Sequence, residues 1–398
     1  MGYRRGSCDL AQRTDRVVSV KNAKPHVVIC TDGVFPQAMG GMQRHTRLLA
    51  EYLAKSGEVS LTVIHPHAEQ VFGTELGINE VRIEPIDTQR NYLRELWRYS
   101  ERVAKKLDAL SADVILSQGF CVWKGMERFR SRLILHPHGL EMFQGIGAKE
   151  RAMGRPFRWV VRYMARRSAY VVSLGGILTR ILNGLVEGSS STVVTVPNAV
   201  ELPAEPTPYE VHPGPLRLLF VGRFAFNKGL DLLIAVARRL EREGKGDAFL
   251  FELAGDGPLL NAIRAEGLPP NVQLLGRVDD ETLFKAYSEC DAFILPTRFE
   301  GMPTVVLEAM ARSRPIIVSD VGATAELVDG SNGYLLPKGD PEALYQAVIA
   351  FGALNADQRQ AMALSSRQRV QERFTWSAVT AEFLSLFQLV DRSVAHRE

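Results

Sequence analysis

Two carboxylates, Glu300 and Glu308, stand with seven residues between them in Phe-Glu-Gly-Met-Pro-Thr-Val-Val-Leu-Glu-Ala-Met-Ala, just after the apolar run Ala292-Phe-Ile-Leu. A short apolar run followed by a helical pattern puts Glu300 at a strand exit and Glu308 inside the next helix, where both can face one ligand. Pro303 is expected at the first helical position, where its missing N–H costs nothing and the free N–H groups attract anions. Two acids beside an anion site point to a sugar bearing phosphate. A second loop, Val221-Gly-Arg-Phe-Ala-Phe-Asn-Lys-Gly, lies between a strand and a helix. There Gly222 allows a turn, Arg223 and Lys228 supply two cations, and Gly229 clears the helix start, a set suited to a diphosphate. The plain structural reading is that both cations cap neighbouring elements and that Glu300 stabilises a helix N-terminus.

Glu-x7-Glu with Ala-Met-Ala after it, and Gly-Arg-x4-Lys-Gly upstream, resembles the retaining GT-B glycosyltransferases of the family 4 (glycosyl transferases group 1) type. The resemblance runs from about Lys24 to about Phe387 and is strongest between Leu216 and Leu344. It implies an α/β architecture of two doubly wound, Rossmann-like parallel-sheet domains facing across a cleft. It also implies transfer of a sugar, with retention, from a UDP-, GDP- or ADP-sugar to a hydroxyl of a glycan or lipid-linked acceptor, in cell-surface polysaccharide, lipopolysaccharide or glycolipid synthesis. The catalytic positions carried over are Arg223, Lys228, His138 and Glu300, with the two cations stabilising the departing diphosphate. The donor-binding positions are Gly222, Arg223, Lys228, Asp256, Gly257, Arg277, Val278, Glu300, Gly301, Met302, Pro303, Thr304 and Glu308, and Glu308 takes the ribose hydroxyls. Turn formation explains Gly255-Asp256-Gly257 equally well. Pro303 and Ser313 occupy places where many members carry glycine. A sugar-nucleotide epimerase of the same fold and a non-catalytic nucleotide-sugar-binding protein are the competing functions.

In the first half, Gly40-Gly41 with His45 four positions on stands between a strand and its helix, as an acceptor or phosphate loop. His136-Pro-His138-Gly follows the strand Arg132-Leu-Ile-Leu, and the family has a His-Gly at the place of His138, against the donor sugar. No further His, Cys or carboxylate stands at metal-ligand spacing from this pair. The chain also has no Asp-x-Asp triplet where such a triplet would hold a metal. No catalytic metal and no other cofactor is expected.

The elements that must carry these residues alternate twice. His26-Val-Val-Ile-Cys, a helix over 42–55 and Val59-Ser-Leu-Thr-Val-Ile form a βαβ unit. Further strands are expected from Asp113, Arg132, Tyr170 and Thr192, then from Arg217, Phe249, Val272, Ala292 and Pro315, with a helix over 230–242. The expected organisation is a polar tail at 1–24, an acceptor domain at 25–200, a linker at 201–215, a nucleotide-sugar domain at 216–375 and a helix at 376–398 crossing back to the first domain. Ligands of such sheets bind beyond the carboxyl ends of the strands.

Length, 398 residues, and 46% apolar content allow two cores. Four scattered cysteines and no apolar leader suit a cytoplasmic protein, with contact at the inner face of the membrane as the peripheral option. Residues to 205 hold 28 Lys and Arg against 20 Asp and Glu, and the remainder 20 against 25. The basic half suits an anionic acceptor or lipid surface. Arg158, Arg162 and Arg166 fall on one helical stripe, either a solvated face or a docking surface for anionic membrane. Nucleic acid is not an expected partner, because no aromatic residues interleave with that stripe.

Overall fold

Strands form where β-branched and aliphatic residues run uninterrupted, as in Val114-Ile-Leu-Ser-Gln, buried along its whole length. A run apolar on both faces requires cover on both sides, which a parallel sheet with crossover helices supplies. The computed structural model describes residues 24–395 other than 88, 90, 146, 206 and 211. The polar tail expected at 1–24 therefore lies, Lys24 apart, outside the described residues.

The first sheet contains β1 (His26–Cys30), β2 (Ser60–His65), β3 (Asn79–Arg82), β4 (Val114–Gln118), β5 (Leu133–His136), β6 (Tyr170–Ser173) and β7 (Thr192–Thr195), in the order β3-β2-β1-β4-β5-β6-β7. The second contains β8 (Leu216–Val221), β9 (Phe249–Ala254), β10 (Val272–Gly276), β11 (Ala292–Leu295), β12 (Ile316–Ser319) and β13 (Gly333–Leu336), in the order β10-β9-β8-β11-β12-β13. Every recorded strand pair is parallel. The strand order reverses between β1 and β4 and again between β8 and β11, and these two switch points are where crevices open at the carboxyl ends.

Between the sheets, 201–215 has neither helix nor strand among its described residues, yet it is tied down. Tyr209 Oη donates to Asp291, and Arg314 Nη2 donates to the carbonyl of Pro208 at 2.6 Å. The helix Trp376–Ala395 returns to the first sheet, where Trp376, Val379, Phe383 and Phe387 pack with Val27, Ile29, Leu49 and Leu116. The chain thus crosses between domains twice. The crossings meet side by side at the bridge between Val200 and Thr375.

Several bonds join the domains across the cleft. Gln144 Nε2 donates to the Glu300 carbonyl at 3.1 Å, Asn198 Nδ2 to the Met302 carbonyl at 2.8 Å, and the Ile177 amide to the Gly322 carbonyl at 2.8 Å. Among the described residues, no helix is long and apolar enough to cross a membrane.

Candidate active site in the interdomain cleft

The loop after β11 and the loop after β8 meet at the switch point of the second sheet. Thr297 Oγ1 donates to the Asn227 carbonyl at 2.9 Å and the Arg298 amide to the same oxygen at 2.7 Å. Gly229 has φ +74°, and a Cβ there would lie 1.9 Å from the Pro296 carbonyl oxygen. Only glycine lets the two loops close this far. Lys228 is thereby delivered to Glu300, whose Oε1 accepts from Lys228 Nζ and lies 3.2 Å from Thr297 Oγ1. Pro303 is the residue preceding the helix Thr304–Ala311 rather than its first member, a shift of one position from the sequence expectation. Of the opening N–H groups of that helix, that of Val306 donates to the Pro303 carbonyl at 3.2 Å, while those of Thr304 and Val305 have no partner within the helix, an arrangement that suits an anion.

A cavity of about 440 Å³ is lined by Lys228, Glu300, Gly301, Met302, Pro303 and Thr304 from the second domain and by Gly41 and His138 from the first. Gly41 has nothing within 4 Å of a built Cβ, which leaves open space before the loop. His138 sits in the left-handed region, φ +58°, a conformation a non-glycine residue holds only where its surroundings fix it. Its Nε2 lies 2.5 Å from Gln118 Oε1, and burial holds its imidazole well below the usual histidine range, hence neutral.

Glu308 faces a neighbouring cavity of about 250 Å³, which shares Gly41, Asn198 and Thr304 with the first. Its Oε2 accepts from Tyr287 Oη at 3.0 Å, and its Oε1 lies 3.7 Å from Arg44 Nη1 of the first domain. Burial raises the Glu308 carboxyl above its ordinary value, against the lowering effect of Tyr287 and Arg44. Neither Tyr287 nor Arg44 belongs to the motifs that carry the carboxylates, and the sequence pattern gave no sign of them, because each comes from an element distant in the chain.

Arg223 does not join Lys228. It faces a third cavity, of about 620 Å³, with Gly222, Asp256, Gly257, Arg277 and Val278. Gly222 is not in a left-handed conformation, so the turn expected of it falls instead to Gly229. Gly257 is required by contact, since its Cβ would meet Phe224 backbone at 2.6 Å, and Asp256 Oδ1 accepts from the Gly257 amide at 2.6 Å. Asp256 thus builds the turn that borders this cavity.

His45 is buried on the helix Gly41–Ser56, edge-on to both His136 and His138. The three rings bring ligand-type nitrogens within 4.8 Å of one another, a cluster that spacing along the chain did not reveal. Both nitrogens of His45 and of His136 lack a hydrogen-bond partner. Burial lowers His45 to about 3 and His136 well below the usual range. The rings of His136 and His138 stack at 3.8 Å and 22°, so their in-plane lone pairs run side by side. An ion about 2.1 Å from both nitrogens would lie out of both ring planes, a poor fit to imidazole ligation.

Two arginines of the stripe Arg158, Arg162 and Arg166 also have bonds within the fold. Arg158 donates to the carbonyls of Met142 and Arg151, and Arg166 to those of Leu185, Glu187 and Gly188, so both serve the fold. Arg155 and Arg162 are exposed on the same helix, and Trp159, four residues after the one and three before the other, is exposed between them, so an aromatic residue does interleave with the arginines, contrary to the sequence expectation.

Residues 39–203 match the family model Glycosyltransferase Family 4, and 215–352 match Glycosyl transferases group 1. The chain is 29% identical over 194 residues to WcaL of Escherichia coli (strain K12), a glycosyltransferase named for colanic acid biosynthesis, covering 46% of this chain and 47% of that one. It spans about half the length of the curated relatives it matches first. The fold is similar to sucrose-phosphate synthase from Thermosynechococcus elongatus, with TM-score 0.75 at 19% identity over 92% of this chain and 99% of that one. It is also similar to HepE of Anabaena in complex with UDP, with TM-score 0.65 at 17% identity over 91% and 99%. Two parallel sheets meeting at their switch points, each domain matched by its own model, place this chain in the GT-B glycosyltransferases of the family 4, group 1 type.

Proposed function

We propose that the protein transfers a sugar from a nucleoside-diphosphate donor to a hydroxyl of a glycan or lipid-linked acceptor, with retention at the anomeric carbon, in polysaccharide, lipopolysaccharide or glycolipid synthesis. The observation that carries this reading is the Lys228–Glu300 pair, set at the N-terminus of the helix Thr304–Ala311 in a cavity walled by both domains. The UDP bound by HepE supports a nucleoside-diphosphate donor.

In this reading Glu308, held by Tyr287, accepts hydrogen bonds from the ribose hydroxyls. Lys228 and the free helix amides stabilise charge growing on the departing diphosphate, with Arg223 acting from the adjoining cavity. Glu300 is already engaged by Lys228 and Thr297, which suits sugar recognition more than nucleophilic attack. A front-face reaction follows, in which the departing phosphate takes the acceptor proton. The cations and helix amides supply the charge that a divalent metal would supply, so turnover is expected to survive a chelator. The basic surface is assigned to peripheral contact with anionic membrane through Arg155, Trp159 and Arg162.

Incubation with UDP-, GDP- and ADP-sugars, with and without lipid-linked acceptors, and with NMR of the anomeric proton, tests the assignment. An α-linked product from an α-linked donor is expected. An inverted product, or epimerised nucleotide sugar with no acceptor, refutes it.

A further inference from the structure

A separate cavity of about 180 Å³ opens in the first domain, beyond the carboxyl ends of β1 and β4. Its walls include Tyr92, Phe120, Met142, Val161 and Met164, with Asp32 at the end of β1. It adjoins the Lys228–Glu300 cavity, with which it shares Met42, Gly139 and Glu141. The groups assigned to the donor do not use it.

We propose that this cavity holds the acceptor as an uncharged, hydroxyl-bearing sugar ring, with its hydroxyls on Asp32 and its apolar face against Phe120 and Tyr92. The proposal rests on the glycosyl-transfer reading and specifies that reading's second substrate. Three observations carry it. Position is the first, since the cavity lies at the switch point of the first sheet, where doubly wound domains take their ligand. Charge is the second: among its described lining residues there are two carboxylates, Asp32 and Glu141, and no Lys, Arg or His. A phosphate or uronate placed here would meet like charge without a counterion. The basic balance of the N-terminal half had suggested an anionic acceptor, and this wall has the opposite sign. Chemistry is the third. Asp32 Oδ1 accepts from Gln43 Nε2 at 3.1 Å, which fixes the carboxylate and leaves Oδ2 for a ligand hydroxyl. A carboxylate that accepts hydroxyls, beside aromatic and methionine side chains, recognises the polar edge and the apolar face of a pyranose together.

Saturation-transfer NMR on the full chain, without nucleotide, tests this with phenyl β-D-glucoside and with glucose 6-phosphate as probes. The glucoside is expected to bind and the phosphate not to compete with it. Asp32→Asn, which preserves shape, is expected to weaken the glucoside by at least about tenfold through loss of a charged hydrogen bond. Phe120→Ala is expected to weaken it similarly, with thermal unfolding of both variants confirming an intact fold. Unchanged glucoside binding in both variants overturns the proposal, as does a preference of the unaltered protein for glucose 6-phosphate. Because no donor is present, failure here leaves the donor assignment standing, and failure of nucleotide binding leaves this measurement valid.

Discussion

Replacing Lys228 by methionine separates two roles that one side chain plays. In the resting site Lys228 pairs with Glu300, with side-chain exposures of 21% and 13%. Breaking a fully buried pair from one side costs about 3–5 kcal/mol, and an exposed pair about 0–1. This partly buried pair falls between, at about 1–2 kcal/mol, because both side chains keep some exposure to water. That loss lowers the melting temperature by a few degrees. On the proposed mechanism the same ammonium faces charge appearing on the leaving diphosphate in the transition state. A unit pair about 4 Å apart at an effective dielectric near 20 is worth about 4 kcal/mol. At about 1.4 kcal/mol per tenfold, Lys228→Met should slow turnover roughly a thousandfold. The double variant Lys228→Met, Glu300→Gln removes the unpaired carboxylate and should regain most of the melting temperature without regaining the rate. Single-turnover nucleotide release at saturating donor, beside thermal unfolding, reads both effects. A turnover within tenfold of the unaltered protein, or a rate that returns with stability in the double variant, refutes the electrostatic role of Lys228.

Burial raises Glu308, so folding favours its protonated form and stability is lost as pH rises through the raised value. Glu308→Gln should therefore melt higher than the unaltered protein at pH 7, with the difference vanishing below the ordinary value near 4.5, while its donor affinity falls; differential scanning fluorimetry across pH and a nucleotide titration check the two parts. Ser313 holds φ +58° at the end of the helix Thr304–Ala311, and Ser313→Gly should stabilise by about 1 kcal/mol, read from denaturant midpoints. Arg162→Glu with Trp159→Ser should reduce sedimentation with phosphatidylserine vesicles, whereas Arg158→Ala, which loses two carbonyl contacts, should lower the melting temperature.

The central strands were legible because their residues are apolar on both faces, as in Val27-Val-Ile-Cys and Ala292-Phe-Ile-Leu. β3 and β13 were not, since Asn79-Glu-Val-Arg and Gly333-Tyr-Leu-Leu are short edge strands with half-exposed side chains and no clear period. The loops bearing Lys228 and Glu300 and the helix bearing Glu308 announced themselves through spacing, whereas their partners did not. Arg44 reaches Glu308 from another domain, and Tyr287 reaches it from the helix Asp280–Glu289. No local pattern encodes such meetings. The same limit hid the third histidine, His45, from a reading based on spacing around His136 and His138. It also let Arg158 and Arg166 look like surface charges, because helical phase shows which way a side chain leaves the helix but not the carbonyls it then meets.

The paired crossings at Val200 and Thr375, reinforced by the Val200 amide donating to the Phe374 carbonyl at 2.8 Å, are placed as the two pins of a hinge would be. One crossing would leave the domains free to swivel; two, side by side, confine them to rotation about a single axis. Residues 198–203 and Trp376 line the same cavity as Arg44 and Glu308, so that end of the cleft lies beside the crossings and would move least in such a rotation. Any rotation about that axis would carry the mouth bounded by Gln144, Glu300 and Lys338 farther and would break the bonds that Gln144 makes to the Glu300 carbonyl and Lys338 makes to the Gln144 carbonyl, because displacement grows with distance from the pins. On the proposed reading, the Glu308 end would therefore keep its shape as a donor arrives, and closure would act on the end of the cleft that holds Lys228 and Glu300.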